Sequence, residues 1–241
     1  MTTLFQSRIV AEQYARHRGS FDEDFIDELS DLLRLCPGPV LDIGAGAGAP
    51  ARALTTRGHE VVAVEPSRAM ISQARNLNPK VPFVQARGES LPLRTGSAGS
   101  AAVLYVLHHA DDPVALLSEA RRVVVPSGRI LVVSGKPDSS RQRFFAKYFP
   151  TLAPDLPGPV EIGDWAAEAG LYVAESRTSV HWVYPNRHLD EDYMRMVTCD
   201  MFSTLRMLNE REYECGVRRL REDLGRPLPA PEVTLLVLER P

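Results

Sequence analysis

An α/β fold with a doubly wound, mostly parallel sheet is predicted by three features of the sequence. Short apolar runs suited to buried strands alternate with segments of helical spacing. A turn with three alternate glycines, Gly44-Ala45-Gly46-Ala47-Gly48, follows the first of those runs, Val40-Leu41-Asp42-Ile43. A carboxylate, Glu65, closes the second run, Val61-Val62-Ala63-Val64, 21 residues after Gly44. Such turns let the backbone pass a ligand where a Cβ would clash, and an acid at the next strand end reaches both hydroxyls of a ribose. Glycines that only pack a helix on a strand would not require that acid.

The elements follow in order. Apolar residues at 21, 25, 26, 29, 32 and 33 repeat with helical spacing, so Phe21 to Leu35 is a helix, stopped by Pro37-Gly38-Pro39. With residues 8–18 it forms a helical N-terminal cap over 1–36. Strands are expected at about 39–43, 60–64, 82–84, 100–106 and 129–134, with helices near 48–57, 67–76 and 112–124. This core, 37–137, should bind its ligand at the carboxyl ends of the strands, where strand order reverses. Beyond it, 138–149 reads as a helix, Pro150 to Pro159 as a loop and Asp164 to Ala169 as a short helix capped by Gly170. Strands at 171–180 and 232–239 bring the total to seven; the latter lies in the closing segment 230–241. An insertion at 181–229, with helices near 189–206 and 209–223, reads as a lid. The whole chain reads as a single domain without internal repeats.

Asp42 narrows the choice of ligand. It stands two residues before Gly44, at the mouth of the first strand, where dinucleotide-binding folds keep an apolar residue. A carboxylate there repels a pyrophosphate and suits a cation, such as the ammonium and sulfonium of S-adenosylmethionine.

Leu41 to Gly48 therefore resembles motif I of the class I S-adenosylmethionine-dependent methyltransferases, and the likeness continues in order along the chain. Glu65-Pro66-Ser67-Arg68-Ala69-Met70 is similar to the family's acidic loop. Gly88-Glu89-Ser90-Leu91-Pro92-Leu93 is similar to the Ala-Glu-x-Leu-Pro-Phe segment of the ubiquinone and menaquinone methyltransferase-like branch, also called type 11. Val103 to His109 resembles its fourth strand and turn, and Glu119 to Ile130 its Glu-x-x-Arg-Val-Leu-Lys-Pro-Gly-Gly-x-Leu segment. Tyr14 and Arg18 look like the Tyr and Arg of its cap. Arg87 departs from the pattern, standing where many relatives carry Asp, and Ser97-Ala98-Gly99-Ser100 replaces Ser-Phe-Asp.

The resemblance implies a Rossmann-like sheet of seven strands with the last one antiparallel, and S-adenosyl-L-methionine as cofactor. It places Asp42, Gly44, Ala45, Gly46 and Gly48 at the methionine end, and Glu65 and Pro66 at the ribose. Met70, Arg87, Gly88 and Glu89 surround the adenine, Tyr14 closes over the cofactor, and Tyr105 borders it after strand four. The reaction implied is methyl transfer to an oxygen, carbon or nitrogen of a small-molecule acceptor. His109 is the first candidate base because imidazole titrates near working pH, with His108 second; a turn histidine that only stacks or caps is the competing reading. In the insertion His181 and Tyr184 are candidates to face the acceptor, while Met194, Met196, Met201 and Met207 fit a core at helical spacing better than a substrate surface.

Composition sets the bounds. The 241 residues bury one sizeable core, and 44% hydrophobic with 24% charged content is that of a globular protein. A net charge of −3 argues against a nucleic-acid partner. No apolar run approaches the roughly 20 residues that span a bilayer, and the N-terminus lacks a signal pattern, so a soluble cytoplasmic protein is expected, as a monomer or homodimer. Cys36, Cys199 and Cys215 are odd in number and scattered, so neither a disulfide framework nor a metal site is expected. Two other classes compete: a methyltransferase-fold protein that binds the cofactor without methylating, as a cyclase or regulator, and a nicotinamide-dependent oxidoreductase, which Asp42 disfavours.

Overall fold

The structure, a computed structural model, describes residues 7–17, 21–34, 36–152, 156–182, 187–198, 205 and 207–241. Two helices, α1 (Arg8–His17) and α2 (Glu23–Leu33), lead into β1 (Val40–Ile43), α3 (Ala49–Thr56), β2 (Val61–Val64), α4 (Arg68–Leu77) and β3 (Phe83–Val84). Then come β4 (Ser100–Leu104), a 3-10 turn (Leu107–His109), α5 (Pro113–Val123) and β5 (Ile130–Gly135). The second half holds α6 (Ser140–Tyr148), α7 (Pro159–Glu168), β6 (Tyr172–Val180), α8 (Glu191–Thr198), α9 (Glu210–Glu222) and β7 (Glu232–Glu239).

The seven strands form one sheet in the order β3-β2-β1-β4-β5-β7-β6. The first five are parallel, and β7 runs antiparallel between β5 and β6. Every residue of β1 and β4 is buried, as a strand covered on both faces requires. Alternation divides them: Leu41 and Ile43 pack towards α5 and α7, while Val40 packs towards α2 and α3. Asp42 shares the second face with Val40, a carboxylate among aliphatic side chains. Strand order reverses between β1 and β4, which opens a crevice at their carboxyl ends.

Three differences from the sequence reading have physical causes. Helix α7 begins at Pro159 instead of Asp164 because proline suits the first turn of a helix, where its missing N–H is not needed. Strand β4 stops at Leu104, short of the expected residue 106, because Tyr105 takes φ +59° and turns the chain out of the sheet. Within the expected helix near 189–206, α8 covers Glu191–Thr198, and most of its remainder lies outside the described residues.

Helices α6, α8 and α9 pack as a separate layer around Tyr148, Phe149, Tyr193, Met194 and Met196, so those two methionines are core. Met207 is 79% exposed, and Met201 lies outside the described residues. At Gly216 of α9 an added Cβ would lie 2.1 Å from Cε1 of the fully buried Phe149. Gly216→Val should therefore destabilise the protein by about 1–3 kcal/mol through overpacking, read as a lower denaturant midpoint. A midpoint equal to that of the wild type would show that α9 is not docked on Phe149.

Candidate functional site

A cleft opens at the reversal of strand order, lined by Tyr14, Phe21, Asp42, Gly44, Ala45, Ala47, Ala49, Pro50, Leu104 and Tyr105. Its floor is the glycine turn. Gly44 has φ +75°, and a Cβ there would lie 2.4 Å from Cγ2 of Val106, so only glycine lets β1 turn beneath the end of β4. Gly46 also has positive φ, and Gly48 caps α3 in the left-handed region.

Glu65 braces this turn. Its Oε2 accepts the Gly46 N–H at 2.9 Å and its Oε1 accepts the Ser67 N–H at 2.8 Å. A carboxylate has about four lone-pair sites, so two remain for a further pair of donors. Burial pushes the Glu65 carboxyl above its ordinary pKa, and the two N–H groups oppose that shift. Ser67 in turn caps α4, its Oγ accepting from the Met70 N–H at 3.2 Å, which holds the acidic loop in place.

Asp42 carries the electrostatic signature of the site. It is 1% exposed, and its Oδ2 has no hydrogen-bond partner. Burial first, then the charge of Glu65, raises its pKa to about 7, against the pull of the Ala51 N–H. An acceptor held in a buried wall without a donor is costly, by about 1–3 kcal/mol. A cationic donor in the cleft removes that cost. The ammonium of S-adenosylmethionine is such a donor, and the spare lone pairs of Glu65 suit a ribose diol, so the residues present fit this cofactor.

The other residues singled out in the sequence take varied places. Tyr14, half-buried on α1, lines the cleft, and a Cβ on Gly46 would stand 3.5 Å from its ring. Arg18 lies outside the described residues. Met70 is buried with Ala11, Ala15 and Ala47, tying α4 to α1 and the glycine turn. Pro66 is half-buried, and its carbonyl accepts from Gln85 Nε2 at 3.2 Å. Gly88 passes so close to α5 that a Cβ would lie 2.7 Å from Leu116 Cδ1.

Arg87 is bound to acids on both sides, 3.0 Å from Glu89 Oε1 and 2.5 Å from Asp111 Oδ2. Partial burial disfavours the Glu89 carboxylate, but Arg87 and nearby backbone N–H groups outweigh it and hold the pKa below its ordinary value. Arg87 thereby draws the Glu89 carboxylate towards the Asp111 loop, whose N–H also donates to Oε1 at 3.0 Å. His108 and His109 form the 3-10 turn after β4 and lie against each other, ring centroids 3.9 Å apart; neither is among the residues that line the cleft. His181 is fully buried, with its Nε2 2.5 Å from the Tyr105 hydroxyl. Tyr184 lies outside the described residues.

Two further motifs hold each other. Glu119 Oε2 accepts the Leu91 N–H at 2.7 Å, while Arg122 donates to the carbonyls of Leu91 and Leu93 at 3.0 and 2.8 Å. The Glu-x-x-Arg segment of α5 thus clamps the Leu-Pro-Leu loop after β3, a structural role.

Several residues escaped the sequence reading. Phe21 was visible only as the start of an apolar helical pattern, and Pro50 and Leu104 gave no sign of facing the cleft. Asn78, at the end of α4, donates through Nδ2 to the carbonyls of Ala47 and Gly48 at 3.2 and 3.3 Å. Nothing local marks a residue 30 positions from the turn it supports. Asn78→Ala leaves the Ala47 carbonyl without this donor and should cost about 1–3 kcal/mol of stability, seen as a lower Tm. An unchanged Tm would mean that the turn holds its shape without Asn78.

Among the described residues no group of three His, Cys, Asp or Glu side chains could hold a metal ion, and no helix is long and apolar enough to cross a membrane.

Comparison with known proteins agrees with this geometry. Residues 41–132 match the family described as a methyltransferase domain. An uncharacterized methyltransferase of Mycobacterium bovis is 34% identical over 133 residues, covering 55% of this chain and 52% of that protein. A demethylmenaquinone methyltransferase of Beutenbergia cavernae is 31% identical over 149 residues, 61% of each chain. The chain thus spans between about half and three fifths of the length of these curated relatives. Among solved structures, an Anabaena variabilis protein described as a methyltransferase from an antibiotic biosynthesis pathway superposes with a TM-score of 0.67 at 21% identity, over 89% of this chain and 97% of that one. Residues 41–132 are thus similar to a methyltransferase domain, and the seven-stranded fold is shared with that methyltransferase structure.

Proposed function

We propose that this protein transfers the methyl group of S-adenosylmethionine to an oxygen, carbon or nitrogen of a small-molecule acceptor. The observation that carries the proposal is Asp42 Oδ2, buried without a partner in the wall of a cleft at the switch point of the sheet. Asp42 receives the ammonium, the glycine turn accommodates the methionine backbone, and Glu65 takes the ribose hydroxyls. The adenine lies towards the loop of Arg87, Gly88 and Glu89, with Tyr14 closing from α1. The cofactor, when bound, supplies an electrophilic methyl carbon on a positively charged sulfur.

The chain's own contribution is to place the acceptor in line with that carbon and to exclude water. Orientation of this kind supplies up to about 7–11 kcal/mol of a displacement barrier. Phe21, Leu104 and Tyr105 provide an apolar and aromatic wall for the acceptor, and the layer of α6, α8 and α9 continues from that wall through Phe21 and Tyr105. We assign that layer, with the segment from His181 onwards, as the lid that selects the acceptor.

Incubation with S-adenosylmethionine and a pool of small aromatic and lipid-like acceptors should release S-adenosylhomocysteine, and Glu65→Ala should not. No release by a wild type that binds the cofactor would contradict methyl transfer to these classes, and equal release by both proteins would remove Glu65 from the cofactor site.

A further inference from the structure

Tyr105 and Asp138 are the non-glycine residues with positive φ among those described, and Tyr105, at φ +59°, lines the cleft. An aromatic residue avoids this conformation unless its surroundings compensate. Here the compensation comes from 76 residues away, where the His181 Nε2 lies 2.5 Å from the Tyr105 hydroxyl. His181 is fully buried, and its ring stacks on Phe25 with centroids 3.6 Å apart and planes 8° from parallel. Its backbone N–H donates to the Pro231 carbonyl at 3.3 Å, which ties it between the end of β6 and the start of β7. An imidazole held this rigidly, with one ring nitrogen on the hydroxyl of a residue that lines the cleft, is built like a base acting through a hydroxyl.

We propose that Tyr105 is the catalytic general base for methyl transfer to a phenolic acceptor, with His181 as the positioning residue that receives the proton from Tyr105. The proposal rests on the methyltransferase reading above. As the acceptor oxygen forms its bond to the methyl carbon, the carbon–sulfur bond breaks and its electron pair leaves with sulfur, which becomes neutral. The acceptor's proton moves to the Tyr105 oxygen, the Tyr105 proton moves to His181 Nε2, and the positive charge once on sulfur ends on the imidazolium.

Two observations select a phenol. Phe21, Leu104 and Tyr105 offer a flat, apolar seat for a ring. The relayed proton ends on an imidazole, which ordinarily titrates near 6.5, so a phenol near 10 gives it up over a modest difference that methyl transfer can drive. A hydroxyl as weakly acidic as water, near 15.7, would have to give up its proton far uphill.

The test uses 4-nitrophenol, whose phenolate absorbs at longer wavelength than the phenol. With S-adenosylhomocysteine present and at a pH where the free compound is mostly protonated, binding to the wild type should produce the phenolate band. Tyr105→Phe, which keeps the ring in the cleft wall, and His181→Gln should still bind S-adenosylmethionine, yet lack the band. Both should lower kcat for phenol about 100-fold with KM within about twofold, and should lower it far less for 4-nitrophenol at a pH where it is already ionised. The Tyr105→Phe arm decides the matter if His181→Gln fails to fold. Absence of 4-nitrophenol binding to the wild type, a band retained in Tyr105→Phe, or equal losses for the two acceptors would overturn the assignment. Failure of the wild type to bind S-adenosylmethionine would instead sink the methyltransferase reading beneath it.

Discussion

Replacing Glu65 by Ala is expected to weaken S-adenosylmethionine binding by about 10²–10⁴-fold. The proposed ribose contact consists of two hydrogen bonds to a charged acceptor, each worth about 1.5–3 kcal/mol, and 1.4 kcal/mol is a factor of ten. The same side chain accepts the N–H groups of Gly46 and Ser67, so its loss also frees the glycine turn and the start of α4. The unliganded variant should therefore unfold at a lower temperature, by an amount equivalent to about 1–3 kcal/mol. Loss of Glu65 also removes a charge that raises the pKa of Asp42. Comparing Glu65→Ala with Glu65→Gln separates the roles, because the amide oxygen retains one acceptor for the turn. Unchanged affinity in both variants would show that the cofactor's sugar is not held here.

Replacing Asp42 by Asn is expected to act in opposite directions on stability and on binding. The folded protein holds the Asp42 carboxyl at about 7 against an ordinary value of 3.8. It thus retains a proton that the unfolded chain releases, and the resulting stabilisation is full below pH about 4 and lost as the pH rises towards 7. At 1.36 kcal/mol per unit the loss is at most about 4 kcal/mol. Asp42→Asn removes that decline, so the unliganded variant should be the more stable protein at pH 8 and should lack the wild type's fall in Tm between pH 5 and pH 8.

Binding should show the reverse. A ligand ammonium favours the ionised carboxylate, so cofactor binding to the wild type should expel a proton near neutrality. Affinity should rise between about pH 5.5 and about pH 7, below the range in which an α-amino group titrates. Asp42→Asn should bind about 10–100-fold more weakly and show no such rise. Calorimetry in buffers of different ionisation enthalpy measures the proton release directly. A wild-type affinity that is flat across this range would remove Asp42 from the ammonium site.

How far the sequence could be read follows from where each cause lies. Strands β1, β4 and β5 are buried on both faces, so their apolar runs stand out, and the glycine turn and Glu65 fall within one short segment. Asp42 was legible for the same reason, a charged residue in an otherwise aliphatic strand. The clamp between Glu119, Arg122 and the Leu91–Leu93 loop was recognised as two motifs, but their mutual contact is a tertiary fact. Pro159 misled because proline ends a helix from inside and begins one at its first turn.

The pairing of Tyr105 with His181 could not be read at all. It depends on a backbone reversal after β4 and on the antiparallel insertion of β7, which brings the end of β6 beside the cleft. Asn78 was invisible for a related reason, since the carbonyls it supports belong to another loop. For His109 the position after β4 was legible from the resemblance, whereas the contact of its ring with His108 is a tertiary fact.

The central claim is that this cleft binds S-adenosylmethionine through Asp42 and Glu65. Its most direct test is a calorimetric titration of S-adenosylmethionine into the wild type and into Glu65→Ala. Micromolar, one-to-one binding by the wild type that disappears in the variant is the predicted result. Absence of heat with the wild type, together with thermal stabilisation by a nicotinamide dinucleotide instead, would contradict it.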